Sequence, residues 1–192
     1  CNYECFGCIN RKISSGSFIS KGALERHVLP FVSNLECMRL YNYGEPFLHP
    51  EFIEILGSIR AANEKAVLDI STNAMLMTEK IARALVENKV NYVTVSLHGG
   101  HTQEGLIKYS QKGADLEKIK KNVKMLSDVK KESSSLLPWI CIKSILFDWN
   151  DSEMDMRAFD ALGKSLGVNF VGWDLDASFS SHSSKRFIEG NK

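Results

Sequence analysis

The chain has 192 residues, which is enough for one domain with a sizeable core, and its hydrophobic fraction of 44% is ordinary for a globular protein. Its 24 lysines and arginines nearly balance 23 acidic residues, so there is no basic field of the kind that binds nucleic acid. No apolar run is long enough to span a bilayer. These numbers favour a globular protein without nucleic-acid or membrane partners.

Apolar strand-like runs alternate with amphipathic helical runs along the chain. The predicted strands are residues 37–41, 67–71, 92–97, 139–147 and 170–175. The helices between them carry their own end signals, which are Pro50 in a first turn, N-caps at Thr78 and Asp115, a capping box at residues 150–153, and a left-handed C-cap at Gly167.

Alternation of this kind predicts an α/β fold with parallel strands, either a partial (β/α) TIM-like barrel or a strongly curved open sheet. Ligands then bind at the carboxyl ends of the strands. The chain begins at Cys1 and not at Met, so we expect a segment of a longer protein, with the first strand missing upstream. We assign residues 1–176 to the core domain and 177–192 to a polar tail or linker to a missing C-terminal region.

The five cysteines divide into a cluster and two isolated residues. Cys1, Cys5 and Cys8 fall within eight residues, whereas Cys37 and Cys141 lie in apolar strand-like runs, where a lone cysteine is usually a small buried hydrophobe. An odd number in a chain of this length argues against a disulfide scaffold. The cluster therefore indicates a metal centre in a reducing compartment, for which we expect a cytoplasmic location.

The spacing C-x3-C-x2-C in residues 1–8 allows three thiolates to bind one metal centre from a single loop. Three thiolates leave one iron of a [4Fe–4S] cube without a protein ligand, whereas an electron carrier normally fills all four sites with cysteine. Zinc is the alternative, with His27 or Cys37 as a fourth ligand. Iron–sulfur is favoured because no fourth cysteine lies nearby.

Together with the cysteine loop, four further segments resemble the radical S-adenosylmethionine superfamily. They are YGEP (43–46), similar to the family's GGEP segment, STN (71–73), VSLHG (95–99), and the run from Tyr109 to Asp115. Each follows a predicted strand or leads into a helix in the family's order. The resemblance extends from Cys1 to about Asp176, and it implies the family's partial barrel.

The resemblance implies two cofactors, a [4Fe–4S] cluster on Cys1, Cys5 and Cys8 and S-adenosylmethionine bound to its open iron. It implies a one-electron reductant of the flavodoxin or ferredoxin type. The sulfonium C–S bond is then cleaved to methionine and a 5′-deoxyadenosyl radical, which abstracts hydrogen from an unidentified substrate. A cluster-bearing sensor or a partner subunit that binds the cofactor without turnover is the further alternative.

The resemblance also implies site residues beyond the cysteines. Gly44 and Glu45, with Pro46 in the same segment, are expected to hold the amino end of the methionine moiety. Polar contacts to the nucleoside or methionine are expected from Asn73 and Ser96. Lys143 is expected to pair with the methionine carboxylate if its side chain points inward.

Ordinary structural explanations stand beside these roles. Motif order favours the cofactor role of Glu45 over that of an ordinary loop acid. Ser96 is equally explained as a strand end, and Asn150 is fully explained as a helix cap. A loop histidine such as His98 is more often solvated than catalytic, and Trp173 is more often a core residue.

Two positions depart from the family pattern. Gly7 stands where the family commonly has an aromatic residue that helps to hold the adenine, so either Phe6 takes that part or the adenine packs elsewhere. Tyr43 replaces the first glycine of GGEP, which leaves less room for close backbone approach.

Overall fold

The computed structural model describes residues 1–8, 16–177 and 180–188. Its five strands are Cys37–Arg39 (β1), Val67–Thr72 (β2), Tyr92–Ser96 (β3), Trp139–Leu146 (β4) and Phe170–Leu175 (β5). They pair in parallel in the order β1-β2-β3-β4-β5, and the sheet is not closed. The predicted α/β fold with a partial (β/α) barrel is confirmed.

Helices connect the strands and follow the last one. They are Lys21–His27 (α1), Leu29–Val32 (α2), Phe52–Ala62 (α3), Glu79–Glu87 (α4), Gln103–Ser110 (α5), Leu116–Glu132 (α6), Glu153–Leu166 (α7) and Lys185–Ile188 (α8), with a 3-10 turn at Pro46–Leu48. None of the helices in the described ranges combines the length and apolarity needed to cross a membrane.

The predicted helix ends are mostly confirmed. Thr78 caps α4 by accepting a hydrogen bond from a backbone N–H, Asp115 caps α6 in the same way, and Gly167 ends α7 in the left-handed conformation at φ 70°. The capping box at residues 150–153 is wrong, because Ser152 and not Asn150 caps α7. Pro50 lies outside α3, which begins two residues later.

The core lies between the outer face of the sheet and the helices. Alternate strand residues such as Ile70, Val95 and Ile142 are fully buried there. They pack against apolar helix positions, and the largest of these buried helix side chains are Leu56, Ile59, Leu85, Leu106, Ile119, Leu126 and Phe159. Burial of this apolar surface is the main stabilising term of the fold.

The inner face of the same strands is polar rather than aliphatic. In β2 the half-buried Asp69 and Ser71 alternate with buried Ile70 and Thr72. The register places Thr94 beside Ser71 and Lys143 beside Ser96 on neighbouring strands. A closed barrel fills its interior with branched apolar side chains, so this polar inner face is suited to ligands and not to packing.

Two asparagines set the strand register at the amino ends of the strands. The backbone N–H of Asn91 donates to the carbonyl of Leu68, and the side-chain oxygen of Asn91 accepts the backbone N–H of Leu68, both at 2.9 Å. Asn169 makes the equivalent pair with Ile140, both at 2.8 Å. Because register is set there, the carboxyl ends of the strands meet at one level, where the loops that follow them can form a site.

One half-buried hydrogen-bond hub holds the turns at the amino ends of the strands. The guanidinium of Arg60 donates to the backbone carbonyls of Asn63, Glu64, Ala66, Asn88 and Lys89 at 2.8–3.1 Å. Lysine has no planar fork of donors and cannot reach this set. We expect Arg60→Lys to lower the free energy of unfolding by about 2 kcal/mol in urea titrations, since carbonyls lose their partners.

The matched control is Arg157→Lys, at an arginine that is paired with Glu153 on the exposed face of α7. Surface pairs of this kind contribute little, so its unfolding free energy should stay within about 0.5 kcal/mol of the wild type. Equal effects of the two variants would contradict the role of Arg60 as a hub.

Candidate active site at the carboxyl ends of the strands

A cavity of about 210 Å³ opens at the carboxyl ends of β1, β2 and β3. Its wall comes from the cysteine loop, from the loops after those strands and from α5. It is lined by Cys1, Tyr3, Cys5, Cys8, Tyr41, Asn42, Gly44, Glu45, Ser71, Thr72, Asn73, Ser96, His98, Leu106 and Tyr109. The structure therefore brings the three clustered cysteines together with Gly44, Glu45, Asn73 and Ser96.

The cysteine loop (residues 1–8) is held against the end of α5 through its backbone. The N–H of Glu4 donates to the carbonyl of Ser110, and the N–H of Phe6 donates to that of Tyr109, both at 3.2 Å. Within the loop, Cys8 N–H donates to the Cys5 carbonyl at 3.1 Å and closes a turn. Because α5 carries the loop backbone, the cysteine side chains are left to line the cavity.

Phe6 packs on the outer side of the cysteine loop. Its ring lies 5.4–6.3 Å from the rings of Tyr109, Phe147, Trp149 and His182, centroid to centroid. It lines a crevice of about 490 Å³ outside the strand-end cavity. Phe6 is therefore not part of the wall of the strand-end cavity, and its ring holds the cysteine loop from outside.

The segment 180–188 also packs against this outer side. Ser183 forms an antiparallel bridge with Phe147, and Asp148 N–H donates to the carbonyl of His182 at 2.9 Å. The carboxylate of Asp176 accepts the hydroxyls of Ser180 and Ser183 at 2.7 and 2.8 Å. This part of the predicted polar tail thus supports the cysteine loop; residues 178, 179 and 189–192 of that tail lie outside the described residues.

Glu45 joins the loop after β1 to the end of β2. Its carboxylate accepts the Thr72 hydroxyl at 2.6 Å and the Asn73 backbone N–H at 2.7 Å, and also the N–H of Phe47 at 3.2 Å. Burial raises the pKa of this carboxyl, and the three hydrogen bonds oppose that rise. Both carboxylate oxygens are therefore engaged within the protein, and Glu45 holds the shape of the segment that carries Gly44.

Asn73 extends this network to the cysteine loop. Its side-chain amide donates to the side-chain oxygen of Asn2 at 2.7 Å, and its own side-chain oxygen accepts the N–H of Met75 at 3.0 Å. With Glu45, it forms a network that connects the cysteine loop, the loop after β1 and the end of β2. Displacement of any one of these three segments would disturb the other two.

The end of β3 contributes Ser96 and His98 to the cavity. The hydroxyls of Ser71 and Ser96 are 3.2 Å apart on the inner face. The ring of His98 meets Tyr109 edge to face at 5.0 Å, and its Nδ1 is buried without a hydrogen-bond partner among the described residues. The prediction of a solvated His98 is wrong. Burial, with the charge of Lys143 in a smaller part, lowers its pKa to about 4, so the ring is neutral at pH 7.

Three of the residues considered for the site from the sequence do not line the cavity. Lys143 shares a face with Ser96, but its ammonium pairs with the carboxylate of Asp174 at 2.5 Å. Pro46 begins the 3-10 turn and lines a neighbouring crevice on the β1 side. Asn150 neither lines the cavity nor caps a helix; it is buried and folds the turn after β4 by accepting the N–H of Phe147 at 2.6 Å.

Three tyrosines of the cavity wall were missed by sequence reasoning. The Tyr41 hydroxyl donates to Asp69 at 3.1 Å. Burial raises the pKa of both Tyr3 and Tyr109, and the nearby charge of Cys5 adds to the rise in each. Tyr3 had a signal, because it stands between two of the clustered cysteines. For Tyr109 the only indication in the sequence was its place in the segment 109–115, because its approach to the cysteines depends on α5.

The donor set of this cavity fits a cluster better than a single ion. Among the residues that the structure describes, no three His, Cys, Asp or Glu side chains are close enough to hold one metal ion. Zinc needs all its ligands within about 2.0–2.3 Å of one point, whereas a cube carries its thiolates on different irons. Cys37, offered as a fourth zinc ligand, is at the amino end of β1, away from the cavity.

The fold and the cavity define a class of protein, a partial (β/α) barrel with three cysteines around a ligand cavity at its strand ends. The sequence matches the family model of the radical SAM superfamily over residues 1–160. The chain belongs to this superfamily, and its cofactors are S-adenosylmethionine and a [4Fe–4S] cluster.

Solved structures of similar fold include native anSMEcpe with bound AdoMet, with a TM-score of 0.69 and 20% identity, covering 90% of this chain and 48% of that chain. Another is SuiB of Streptococcus suis bound to the precursor peptide SuiA, with a TM-score of 0.68 and 14% identity, covering 90% and 37%. The chain thus spans about half or less of the length of these proteins. No curated protein matches the sequence.

Proposed function

We propose that this domain holds a [4Fe–4S] cluster on Cys1, Cys5 and Cys8 and binds S-adenosylmethionine beside it for reductive cleavage. One observation carries the proposal. The three cysteines line the same cavity as Gly44, Asn73 and Ser96, although these residues come from four separate segments of the chain. When bound, the cluster and cofactor supply a 5′-deoxyadenosyl radical that abstracts hydrogen from a substrate.

The protein's own groups have distinct parts in this proposal. The backbone at Gly44 and Glu45 receives the amino end of the methionine moiety, and the carboxylate network of Glu45 keeps that backbone in place. Asn73 and Ser96 offer polar atoms to the rest of the cofactor. The ammonium of Lys143 is paired with the carboxylate of Asp174. Lys143 can therefore bind the methionine carboxylate only if that ion pair breaks.

The surroundings of the cavity support radical chemistry by limiting access to it. Leu106 and the ring of Tyr109 form part of its wall, and Phe6 with its aromatic neighbours closes the outer side of the cysteine loop. A site that excludes water protects a reactive intermediate from side reactions. The electron comes from an external one-electron reductant, for which we propose a flavodoxin or a ferredoxin.

The proposal is tested by loading the protein with iron and sulfide under anaerobic conditions and adding dithionite and S-adenosylmethionine. We expect methionine and 5′-deoxyadenosine to form in equal amounts, and neither to form without reductant. A fully loaded protein that binds the cofactor but releases no 5′-deoxyadenosine would favour a sensor or partner subunit. A colourless protein that retains zinc on the three cysteines and one further ligand would favour a non-catalytic zinc-binding module.

A further inference from the structure

Tyr3 presents an unpaired hydroxyl at the wall of the cysteine cavity. Its ring packs partly buried against the hydrophobic core, and its hydroxyl oxygen is buried without a hydrogen-bond partner among the described residues. The residue lines the same cavity as all three clustered cysteines. A buried hydroxyl without a partner costs about 1–3 kcal/mol, so its presence calls for an acceptor that arrives with a ligand.

Three nearby anionic groups raise the pKa of Tyr3, and they are the first candidates for an acceptor of its hydroxyl hydrogen. They are, in decreasing order of effect, Cys5, Glu45 and Asp115. The Glu45 carboxylate already accepts three hydrogen bonds, and Asp115 accepts the N–H of Lys118 as the cap of α6. Cys1 and Cys5 each lie two residues from Tyr3 in the same loop, and both line the same cavity as Tyr3.

We propose that the Tyr3 hydroxyl donates a hydrogen bond to a sulfur of the bound cluster and thereby raises the reduction potential of the cluster. This inference rests on the proposed function. A tyrosine hydroxyl keeps its proton at neutral pH and can only donate to an anionic sulfur. Reduction adds a negative charge to the cluster, so a donor stabilises the reduced form more than the oxidised form.

The test compares two single-atom variants of the cluster-loaded protein, Tyr3→Phe and Tyr41→Phe. Tyr41 lines the same cavity, but its hydroxyl already donates to Asp69. The midpoint potential is measured by anaerobic redox titration followed by electron paramagnetic resonance. We expect Tyr3→Phe to lower the equilibrium constant for reduction about three- to tenfold, where tenfold equals about 59 mV for one electron. Tyr41→Phe should leave the potential unchanged.

Three further measurements make the result decisive. Iron content should equal that of the wild type, because Tyr3 is not a ligand. The stability of the cluster-free protein should not fall in Tyr3→Phe, since removal of an unpaired hydroxyl from apolar surroundings is neutral or stabilising. The affinity for S-adenosylmethionine, measured calorimetrically on the oxidised cluster, should also remain unchanged.

The inference is overturned by an unchanged potential in Tyr3→Phe. It is also overturned by weaker cofactor binding at constant potential, which would assign the hydroxyl to S-adenosylmethionine, or by a loss of stability in the cluster-free protein, which would reveal a partner within the protein. These results leave the proposed function intact. That function fails separately, and the inference with it, if the wild-type protein takes up no cluster.

Discussion

Replacement of Cys1, Cys5 or Cys8 singly by alanine is expected to abolish the cluster, reducing iron from about four atoms per chain to nearly none. The reason is that each sulfur lines the strand-end cavity and none has a spare cysteine beside it to replace it. Formation of 5′-deoxyadenosine should fall to the background of the cluster-free protein. Iron and sulfide analysis, with the visible absorption spectrum, provides the measurement.

The matched controls are Cys37→Ala and Cys141→Ala. Cys37 begins β1 at the opposite end of the sheet from the cavity. Cys141 is buried in β4, where burial raises the pKa of its thiol to about 11, so it is neither accessible nor ionised at pH 7. Both variants should keep the full iron content. Loss of iron in either one would contradict the ligand assignment.

Glu45→Gln is expected to destabilise the protein and to weaken binding of S-adenosylmethionine at the same time. One carboxylate oxygen accepts the Thr72 hydroxyl and the other accepts the Asn73 N–H, so the new amide group meets a donor wherever it is placed. The residue is 6% exposed, and water cannot relieve this conflict. We expect a loss of about 2 kcal/mol in urea unfolding and at least tenfold weaker cofactor binding in calorimetry.

Glu51→Gln is the control for this prediction, because Glu51 is exposed and its side chain does not cap α3. It should leave stability within about 0.5 kcal/mol of the wild type and cofactor affinity unchanged. If Glu45→Gln loses affinity without losing stability, the carboxylate contacts the cofactor directly. If it loses neither, Glu45 has no part in the site.

The Glu45 network explains why three short segments of the chain act as one site. Glu45 holds the end of β2 through Thr72 and Asn73, and Asn73 holds the cysteine loop through Asn2. A cluster bound by the cysteines and a cofactor bound along the strand ends would therefore share one rigid support. Substitutions in this network should affect cluster retention and cofactor affinity together, although none of its members is a cluster ligand.

Most of the fold could be predicted from the sequence because the signals are local. Strand runs such as residues 170–175 and helix caps such as Thr78 depend on neighbours within a few residues, where apolar period and hydrogen-bonding side chains act directly. Spacing alone also singled out Cys1, Cys5 and Cys8. The short helix α5 was missed, and with it the surface that carries the cysteine loop.

Hydrogen bonds and packing between distant residues were decided only by the tertiary structure. Nothing local places Phe6 outside the cavity or pairs Lys143 with Asp174, since both outcomes depend on which strands become neighbours. The same holds for His98, whose ring contacts Tyr109 at the end of α5. The type and spacing of a residue predict which chemistry it can perform. Whether its polar groups are already hydrogen-bonded, or are free to bind a ligand, depends on partners from segments remote in the chain.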